Sequence, residues 1–516
     1  MRSAITRRRS TTSKQDVSAR ERVLPSTSLA ARVLDRLDED AVRYCHFKSN
    51  AHVEAGVAGL TDLDLLVDGQ ETVRAVEILA GHGFKRLPAH PSRAYPGAED
   101  FFALDEDTGR LLHLHVHYRL IVGERFFKNY RLPWEEEFLG TRVFDEAASI
   151  YVAHPALEWL LLVCRAALKL RWRDRVRSLV TPQSGEHGGI ATEHRWLAER
   201  AEPAVVIEHA SRLLGKRAAE LVGLALADDL RLRRLTVLRR ELRRNARVFR
   251  AYRSIVALWI RWRRELTWIL GSVNRRYLHR PFPYRRSGSS GGVVIAVVGS
   301  DGAGKSSVTQ TFHSWLAGKV DVIQIYFGSG QGRSSVLRLP LKLALRVMRR
   351  RSGTPRLDPE ARRTRNVTFA RAVWALVLAR EKRSKLRMAM RARERGFVVI
   401  CDRYPQTQLG GVSDGPLLWR WQDSEGRLKS ALAQWEREIY ELGAAMSPDV
   451  VVRLLVTPEI ARARRPTDNP GELAFRTQLV KDLRFESARH GVVDIDADES
   501  LDSVILDVKR RLWPVI

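Results

Sequence analysis

The stretch Val293-Val-Ile-Ala-Val-Val298-Gly299-Ser-Asp-Gly-Ala-Gly-Lys-Ser-Ser307 decides the fold of the C-terminal part of the chain. Its first part is an unbroken run of apolar residues, mostly β-branched, which predicts a buried strand. The remainder fits the pattern G-x-x-x-x-G-K-[ST], and a helix-compatible segment follows. This order of strand, glycine-rich loop and helix is the setting in which the pattern indicates a phosphate-binding loop.

The glycine-rich loop, residues 299–307, predicts a site for the phosphates of a nucleotide. Its glycines allow backbone conformations that a Cβ forbids, so that successive N–H groups can point at phosphate oxygens. We expect the Lys305 amine at the β and γ phosphates and the Ser306 hydroxyl at Mg²⁺. A glycine-rich turn that fits the pattern by chance is the alternative. The predicted nucleotide-binding residues are Gly299, Asp301, Gly302, Gly304, Lys305, Ser306 and Ser307.

A second apolar strand, Phe397–Cys401, leads directly into Asp402-Arg403-Tyr404-Pro405. The carboxyl ends of parallel strands share one edge of a sheet, so Asp402 should arrive beside the glycine-rich loop. There its carboxylate can hold Mg²⁺ directly or through water. We expect Arg403 to face the anionic group of an acceptor. An ordinary Asp-Arg pair at the end of a strand is the alternative interpretation.

Composition divides the chain into five segments. Residues 25–153 alternate strands and helices, residues 154–280 are arginine-rich and helical in pattern, and residues 281–292, PFPYRRSGSSGG, are typical of a linker. Residues 293–516 return to apolar strands separated by long helices, as a parallel sheet with crossover helices requires. Residues 1–24 predict a disordered basic tail, with a transit peptide as the alternative. The expected fold is α/β, with an N-terminal mixed α/β domain, a basic helical connector and a C-terminal parallel-sheet domain.

Individual elements follow from the periodicity of apolar residues. Steps of three and four indicate helices, and alternation or short apolar runs indicate strands. The predicted elements are helices at Leu29–Leu37 and Glu71–Gly81 and strands at Leu63–Val67, Leu111–Tyr118, Val293–Val298, Phe397–Cys401 and Val450–Val456.

The chain of 516 residues is strongly basic, with 88 Lys and Arg against 60 Asp and Glu and a formal net charge of +28. An excess of this size favours anionic partners, namely nucleic acid, phosphorylated small molecules or acidic lipid surfaces. Because 44% of the residues are hydrophobic and 29% are charged, wholesale disorder is excluded.

Cysteine usage and hydropathy bear on the compartment. Cys45, Cys164 and Cys401 stand far apart in no metal-ligand spacing, which argues against a disulfide framework or a zinc site and favours a reducing compartment. No charge-free apolar run reaches the roughly 18 residues of a membrane span, so we expect no transmembrane helix. The first residues contain no apolar segment typical of a secretion signal. We therefore expect a cytoplasmic protein, with peripheral contact to a membrane left open.

Three motifs occur in order along the chain: G-S-D-G-A-G-K-S-S, V-V-I-C-D-R-Y and P-D-V-V-V-R-L-L-V-T-P-E-I-A-R-A-R-R. Together they resemble the thymidylate kinase family over about Gly292 to Ile516. The resemblance implies a nucleoside monophosphate kinase fold in which ATP with Mg²⁺ phosphorylates an acceptor that is already anionic. By residue matching, Asp301 stands near the acceptor's sugar, and Asp402 and Arg403 form the family's Asp-Arg motif. The lid arginines, which neutralise the transferring phosphoryl group, would be Arg462, Arg464 and Arg465.

The segment that grips the acceptor departs from the family. Where the family usually carries an Arg-Glu-Pro-type segment after its second strand, this chain has Tyr326-Phe-Gly-Ser-Gly-Gln-Gly332. The arginine expected on the helix before Gly396 is either Arg380 or Arg383. The acceptor is therefore left open between a nucleoside monophosphate such as dTMP and another phosphorylated small molecule.

Asp62 and Asp64 form an Asp-x-Asp motif on a predicted strand, where side chains two apart share one face. Paired carboxylates of this kind can bind Mg²⁺. With Phe-Lys-Ser at 47–49 upstream, the motif resembles the nucleotidyltransferase superfamily. That superfamily generally adds a third carboxylate on a neighbouring strand, where this chain has histidines that are either ligands or polar residues of a half-exposed strand. These histidines are His113, His115 and His117.

The segment from Arg231 to Arg276 contains fifteen Arg and no Lys against two Glu. Its apolar residues recur at steps of three and four, which predicts a basic amphipathic helix. Three interpretations stay open, namely a helix packing between the domains, a surface that lies on anionic lipid and, with least support, a nucleic-acid contact. The predicted apolar face consists of Leu235, Leu238, Leu242, Phe249, Tyr252, Val256, Trp259, Leu266 and Leu270.

The sequence as a whole favours an ATP-dependent phosphotransferase. Its rivals are a nucleotide sensor or scaffold that binds ATP without transferring phosphate, a nucleotidyltransferase acting through the N-terminal domain, and an ATP-driven nucleic-acid protein. Self-association as a homodimer stays open. The predicted catalytic residues are Lys305, Asp402, Arg403, Arg462 and Arg465, and the predicted metal ligands are Ser306 and Asp402 in one domain and Asp62 and Asp64 in the other.

Overall fold

The computed structural model describes residues 28–124, 127–170, 187–278, 280–289, 291–328 and 367–516. The predicted tail at 1–24 and residues 329–332 of the predicted acceptor segment lie outside this description. The expected α/β fold is confirmed, with a mixed sheet in the N-terminal part and a parallel sheet in the C-terminal part.

The strands of the described residues form three sheets. In chain order they are β1 Tyr44–His46, β2 Leu63–Val67, β3 Lys85–Arg86, β4 Ala98–Asp105, β5 Arg110–His117, β6 Leu120–Glu124, β7 Phe127–Leu132, β8 Val143–Asp145, β9 Ile150–Val152, β10 Val293–Gly299, β11 Val322–Tyr326, β12 Val398–Asp402, β13 Val450–Leu455 and β14 Val492–Asp496.

The helices surround these sheets. The α-helices are α1 Leu29–Glu39, α2 Val53–Val57, α3 Thr72–Gly81, α4 Glu135–Gly140, α5 Pro155–Lys169, α6 His187–Ala198, α7 Pro203–Leu214, α8 Lys216–Ala227, α9 Leu232–Asn245, α10 Ser254–Val273, α11 Lys305–Leu316, α12 Phe369–Glu394, α13 Arg427–Ala445, α14 Pro458–Arg464, α15 Pro470–Asp482 and α16 Leu501–Leu512. Short 3₁₀ turns occur at Asn50–His52, Gly69–Glu71, Trp419–Trp421 and Trp513–Val515.

Every neighbouring pair in the C-terminal sheet, ordered β11-β12-β10-β13-β14, is parallel. The central strand β10 pairs with β12 through Val297 and Asp402 and with β13 through Gly299 and Leu454. The three strands predicted here are confirmed to within one residue at each end. The edge strands β11 and β14 were not predicted by range. They are only partly buried, and polar residues interrupt their short apolar runs, namely Gln324 in β11 and Asp494 and Asp496 in β14.

The N-terminal sheet has the order β3-β4-β5-β2-β1-β9-β8 and mixes parallel with antiparallel pairs. Its centre places three polar residues side by side, because Asp64 on β2 lies opposite His115 on β5 and Asp100 on β4 lies opposite the same histidine. The helices and strands predicted in this part are confirmed to within two residues at each end.

The predicted basic helix is two helices, and the prediction of one continuous apolar face is wrong. Residues 246–253, between α9 and α10, form a connection whose backbone pairs with β7, with hydrogen bonds of 3.0 Å from Arg131 N to Phe249 O and from Ala251 N to Asn129 O. No Pro or Gly marks this break in the sequence. On α9 the apolar residues Leu235, Leu238 and Leu242 are buried in a core, whereas on α10 the apolar residues are largely exposed.

One hydrophobic core joins the helices of the middle segment to the N-terminal sheet. The helix α5 is buried along most of its length and packs with α7, α8 and α9. Cys45 and Leu66 of the sheet belong to the same core. Among the described helices, none combines the length and the hydropathy that a membrane-spanning segment needs.

A second core joins the N-terminal sheet to the C-terminal unit. Phe102 and Leu111 pack in one cluster with Leu316 and Trp513. The predicted linker is also packed rather than loose, since Tyr284 is buried and its backbone N–H donates a 2.7 Å hydrogen bond to the Asp321 carboxylate. The strand β10, the glycine-rich loop and the helix α11 therefore belong to a unit that packs against the sheet that carries the Asp-x-Asp motif.

Candidate functional site

The glycine-rich loop joins β10 to α11 at the carboxyl edge of the parallel sheet. Gly302 and Gly304 have φ values of 88° and 81°, in the left-handed region that glycine enters without strain. A Cβ on Gly302 would also lie 3.0 Å from the carbonyl oxygen of Ala461, on α14. The glycines therefore permit both the turn of the loop and the close approach of α14.

Ser306 and Asp402 meet at this edge. The Oγ of Ser306 donates a 2.9 Å hydrogen bond to Oδ2 of Asp402. Asp402 is buried, and its other oxygen, Oδ1, has no hydrogen-bond partner among the described residues. Burial raises the pKa of Asp402, and the hydrogen bond from Ser306 opposes that shift. A hydroxyl beside a buried, unpartnered carboxylate oxygen is an all-oxygen donor set that fits Mg²⁺.

The Lys305 side chain is buried inside the loop. Its Nζ donates a 2.5 Å hydrogen bond to the backbone carbonyl of Ser300. Burial lowers the pKa of Lys305 to about 8, and the charge of Arg403 acts in the same direction. Of the other predicted loop residues, Gly299 ends β10 and Ser307 is exposed on the first turn of α11.

Asp301 lies between two arginines. Its Oδ1 is 2.9 Å from Nη2 of Arg403, and its Oδ2 pairs with Nη1 of Arg476, on α15. Burial acts to raise the pKa of Asp301, but the charges of Lys305, Arg403 and Arg476 outweigh it and lower the pKa to about 2. Sequence reasoning missed Arg476, because it stands in a polar helix outside every recognised motif.

Arg403 adopts an uncommon backbone conformation directly after β12. Its φ is 69°, which is unusual for a residue with a Cβ and occurs often at functional sites. Besides Asp301, its guanidinium contacts Asp414 at 3.2 Å. Two carboxylates therefore hold the Arg403 guanidinium, which we expect to face the anionic group of the acceptor, at the edge of the loop.

The predicted lid arginines divide into two sets. Arg464, the last residue of α14, donates to the carbonyl of Ala497 at 2.8 Å and to that of Gly302 at 3.4 Å. Arg462 and Arg465 are exposed, and neither side chain has a hydrogen bond or ion pair with the described part of the chain. The structure therefore brings Arg464 to the loop, and leaves Arg462 and Arg465 on the surface of the same segment.

Two lysines of α12 point toward this edge of the sheet. The buried Lys382 donates to the carbonyl of Asp414 at 2.9 Å and to the hydroxyl of Tyr440 at 3.1 Å. Burial lowers the pKa of Lys382 to about 8. Lys385 donates a 2.6 Å hydrogen bond to the carbonyl of Tyr326, at the end of β11. Neither lysine was singled out from the sequence.

The two arginines that the sequence offered for this helix lie elsewhere. Arg380 and Arg383 are exposed and line an open cleft with Arg387 and Trp435. The cations that α12 turns toward the loop are therefore Lys382 and Lys385 rather than Arg380 or Arg383.

A second cluster of ionisable groups lies on one face of the N-terminal sheet. The Nδ1 of His115 is 3.0 Å from Oδ1 of Asp64, and Nε2 of His117 is 3.3 Å from Nδ1 of His115. One donor atom from each of these three residues lies within 4.8 Å of the other two. The Nζ of Lys48 also lies 2.8 Å from Oδ1 of Asp64. The group is a candidate metal centre in which a cation would compete with Lys48 for the carboxylate.

Asp62 does not join that cluster. Its carboxylate lies 2.7 Å from Nδ1 of His113, and it accepts a 2.7 Å hydrogen bond from Lys319, which follows α11 in the C-terminal unit. The two carboxylates of the Asp-x-Asp motif thus have different partners, and each faces a lysine.

A third carboxylate is present on the same face, although the sequence did not indicate it. Asp100 on β4 accepts hydrogen bonds from Arg286 at 2.8 Å and lies 2.9 Å from Nε2 of His113. Its place beside the motif depends on the antiparallel pairing of β4 with β5, which no local pattern reveals. Arg286, from the linker, neutralises it.

No protein-family model matches the chain. Two curated proteins of Escherichia coli (strain K12) are similar to it. The uncharacterized ATP-binding protein YghS is 28% identical over 220 residues, which are 41% of this chain and 89% of that protein. The uncharacterized ATP-binding protein YghR is 29% identical over 227 residues, which are 42% of this chain and 86% of that protein. The similarity covers most of each relative and less than half of this chain.

Proposed function

We propose that the C-terminal unit binds ATP with Mg²⁺ and transfers the γ-phosphoryl group to a small molecule that already carries a phosphate. The observation that carries the proposal is the contact of Ser306 with Asp402, whose buried Oδ1 has no partner. The names of the two relatives, both ATP-binding proteins, support the nucleotide. The resemblance to thymidylate kinases supports the transfer.

In this proposal the chain's own groups position the reactants. Backbone N–H groups of residues 302–306 and the Lys305 amine hold the ATP phosphates. Ser306 and Asp402 hold Mg²⁺, which when bound neutralises charge on the β and γ phosphates. Arg464, beside the loop, offsets charge on the group in transfer. Arg462 and Arg465 would join it if α14 closed over the nucleotide.

The acceptor would bind on the other side of the loop. A small cavity there, about 20 Å³, is lined by Arg403, Asp414 and Phe485 and would have to widen to admit the acceptor, and Lys382 hydrogen-bonds the carbonyl of Asp414. An acceptor phosphate would replace the carboxylates of Asp301 and Asp414 at the Arg403 guanidinium. A planar guanidinium suits this role because it can donate two parallel hydrogen bonds to a phosphate. An oxygen of that phosphate attacks the γ-phosphorus of ATP. The bond between the γ-phosphorus and the oxygen that bridges it to the β-phosphorus breaks, and ADP is released. Because the attacking oxygen is already anionic, no general base is needed.

The test follows ADP formed from Mg-ATP with dTMP, then with other nucleoside monophosphates and sugar phosphates. Lys305→Ala removes the amine that binds the ATP phosphates. The matched control is Lys429→Ala, which changes an exposed lysine of the same unit. ADP that depends on one acceptor and is lost only in Lys305→Ala supports the proposal. ATP binding without ADP formation for any acceptor would favour the sensor instead.

We infer a second, separate site in the N-terminal unit, where Asp64, His115 and His117 bind a divalent metal. Two imidazoles and one carboxylate suit Mn²⁺, Fe²⁺, Co²⁺, Ni²⁺ or Zn²⁺ better than Mg²⁺. Nucleotidyl transfer at this site would in addition require Asp62 and Asp64 to release Lys319 and Lys48.

Metal content of the purified chain, measured after equilibration with Mn²⁺ or Zn²⁺, tests the second site. His117→Ala should lose about one bound ion per chain, whereas the exposed His52→Ala should keep it. Equal metal content in the two variants would refute the site.

A further inference from the structure

The outward face of α10 is an exposed apolar stripe. Ala257, Arg264 and Gly271, spaced by one heptad, are its buried positions and form the seam against the rest of the protein. With 3.6 residues per turn, the face opposite that seam carries only apolar side chains. Its central line is Ile255, Trp259, Trp262, Leu266, Ile269 and Val273, and all six are exposed.

The stripe is large and open. Ile255 is 85% exposed, Trp262 62% and Trp259 57%. A helix of this length extends about 30 Å, and monomeric proteins rarely leave so continuous an apolar surface in water. Such a face indicates an interaction surface.

The orientation of α10 is fixed by its buried side. Arg264 donates a 2.9 Å hydrogen bond to the carbonyl of Ala94, and Arg261 pairs with Glu124 at 3.1 Å. These contacts hold α10 against the N-terminal unit and turn the stripe away from it. Packing against a core therefore describes α9, whose Leu235, Leu238 and Leu242 are buried with the N-terminal sheet and the middle helices, and not α10.

Charge at the borders of the stripe is positive. From Arg247 to Arg280 the chain contains nine arginines and a single acidic residue, Glu265. Six of these arginines stand beyond the two ends of α10. Within the helix Arg261 and Arg264 bind the N-terminal unit, and Arg263 on the flank stacks over the Trp259 ring at 5.0 Å. Apolar residues with Trp at the centre and Arg at the edges are typical of a helix that lies in the surface of an anionic bilayer.

We propose that α10 docks this protein on an anionic lipid bilayer, with the stripe in the acyl boundary and the flanking arginines at the lipid phosphates. A second copy of the chain is disfavoured, because two chains of net charge +28 would bring their arginine-rich helices together. Leu258 and Leu270 also make the stripe wider than the narrow seam of a coiled coil. Nucleic acid is disfavoured, since the centre of the face offers no cation to a phosphate backbone.

The test is flotation of the full chain with vesicles of phosphatidylcholine, alone or with about one third phosphatidylglycerol. The double variant Trp259→Ser/Trp262→Ser removes the two indoles, and Phe369→Ser changes an exposed aromatic residue on α12 as the matched control. Thermal unfolding of all three proteins verifies that they are folded.

The wild type and Phe369→Ser should float with the anionic vesicles and little with the neutral ones. The affinity of the double variant for the anionic vesicles should be at least roughly tenfold lower, because it buries less apolar area in the bilayer. Equal flotation of the double variant and the wild type would overturn the proposal. The proposal would also fail if the wild type did not float with the vesicles and the two Trp→Ser substitutions instead prevented the formation of a dimer or of a complex with DNA or RNA.

Discussion

The Oγ of Ser306 donates a 2.9 Å hydrogen bond to Oδ2 of Asp402, so the first turn of α11 and the end of β12 meet at one point of the sheet edge. The register explains the meeting, since Val297 on β10 lies opposite Asp402 and the glycine-rich loop begins two residues later. In the proposed function this contact is the Mg²⁺ site, which lies beside the loop that holds the ATP phosphates.

Arg403 should affect the acceptor rather than the nucleotide. Arg403→Ala is expected to raise KM for the acceptor on the order of 100-fold, since the guanidinium is the planar partner of its phosphate, and to leave KM for ATP nearly unchanged. Arg484→Ala, at an exposed arginine of the same unit, is the control. Steady-state kinetics with each substrate varied in turn measure the split. An equal loss for ATP would place Arg403 in the nucleotide site.

Two cations that link the halves of the molecule should differ in their contribution to stability. Arg286 pairs with the buried Asp100 at 2.8 Å, whereas the Lys319 ion pair with Asp62 is partly exposed. Arg286→Ala leaves a buried carboxylate short of a partner and should cost about 3 kcal/mol. Lys319→Ala should cost under about 1 kcal/mol. Thermal unfolding of the two variants checks the order, and an equal drop in Tm would contradict it.

Glu158 should make the free energy of unfolding depend on pH. Burial raises the pKa of Glu158 to about 7, although hydrogen bonds from the N–H and side-chain amide of Asn50 at 2.9 and 2.8 Å oppose the shift. Because the folded pKa lies above the unfolded one, the stabilisation from the protonated carboxyl is full below about pH 4.5 and is lost as pH rises through about 7.

Glu158→Gln cannot titrate and should remove that dependence. Between pH 4.5 and 8 the free energy of unfolding of the wild type should fall by on the order of 3 kcal/mol relative to this variant. Urea denaturation across the range measures the difference, and the exposed Glu208→Gln should follow the wild type. Parallel curves for wild type and Glu158→Gln would show that Glu158 does not titrate as described.

Contacts that follow from parallel pairing could be predicted from the sequence. Strand–loop–helix order and the shared edge of parallel strands are local or topological rules, and they are enough to bring Asp402 to the loop. The alternation of His113, His115 and His117 likewise puts these side chains on one face of a strand, whereas the pairing of His115 with Asp64 is set by the register.

Contacts that depend on register or on helix rotation could not be predicted. Asp100 reaches the Asp-x-Asp motif only through the antiparallel pairing of β4 with β5. Lys382 and Arg476 lie on helices with charges on several sides, so periodicity does not tell which charge faces the site. The break before α10 was hidden for a similar reason, since apolar steps of three and four continue across it while backbone pairing to β7 ends the helix.

Calorimetric titration of ATP into the wild type and Asp402→Asn, each with Mg²⁺ and with a chelator, tests whether Asp402 holds Mg²⁺ beside bound ATP. The asparagine can still accept the hydrogen bond from Ser306, so the substitution removes the charge and keeps the contact. We expect Mg²⁺ to tighten ATP binding to the wild type about tenfold or more and to have little effect on ATP binding to Asp402→Asn. An equal Mg²⁺ effect in both proteins, or a wild type that does not bind ATP, would contradict this expectation.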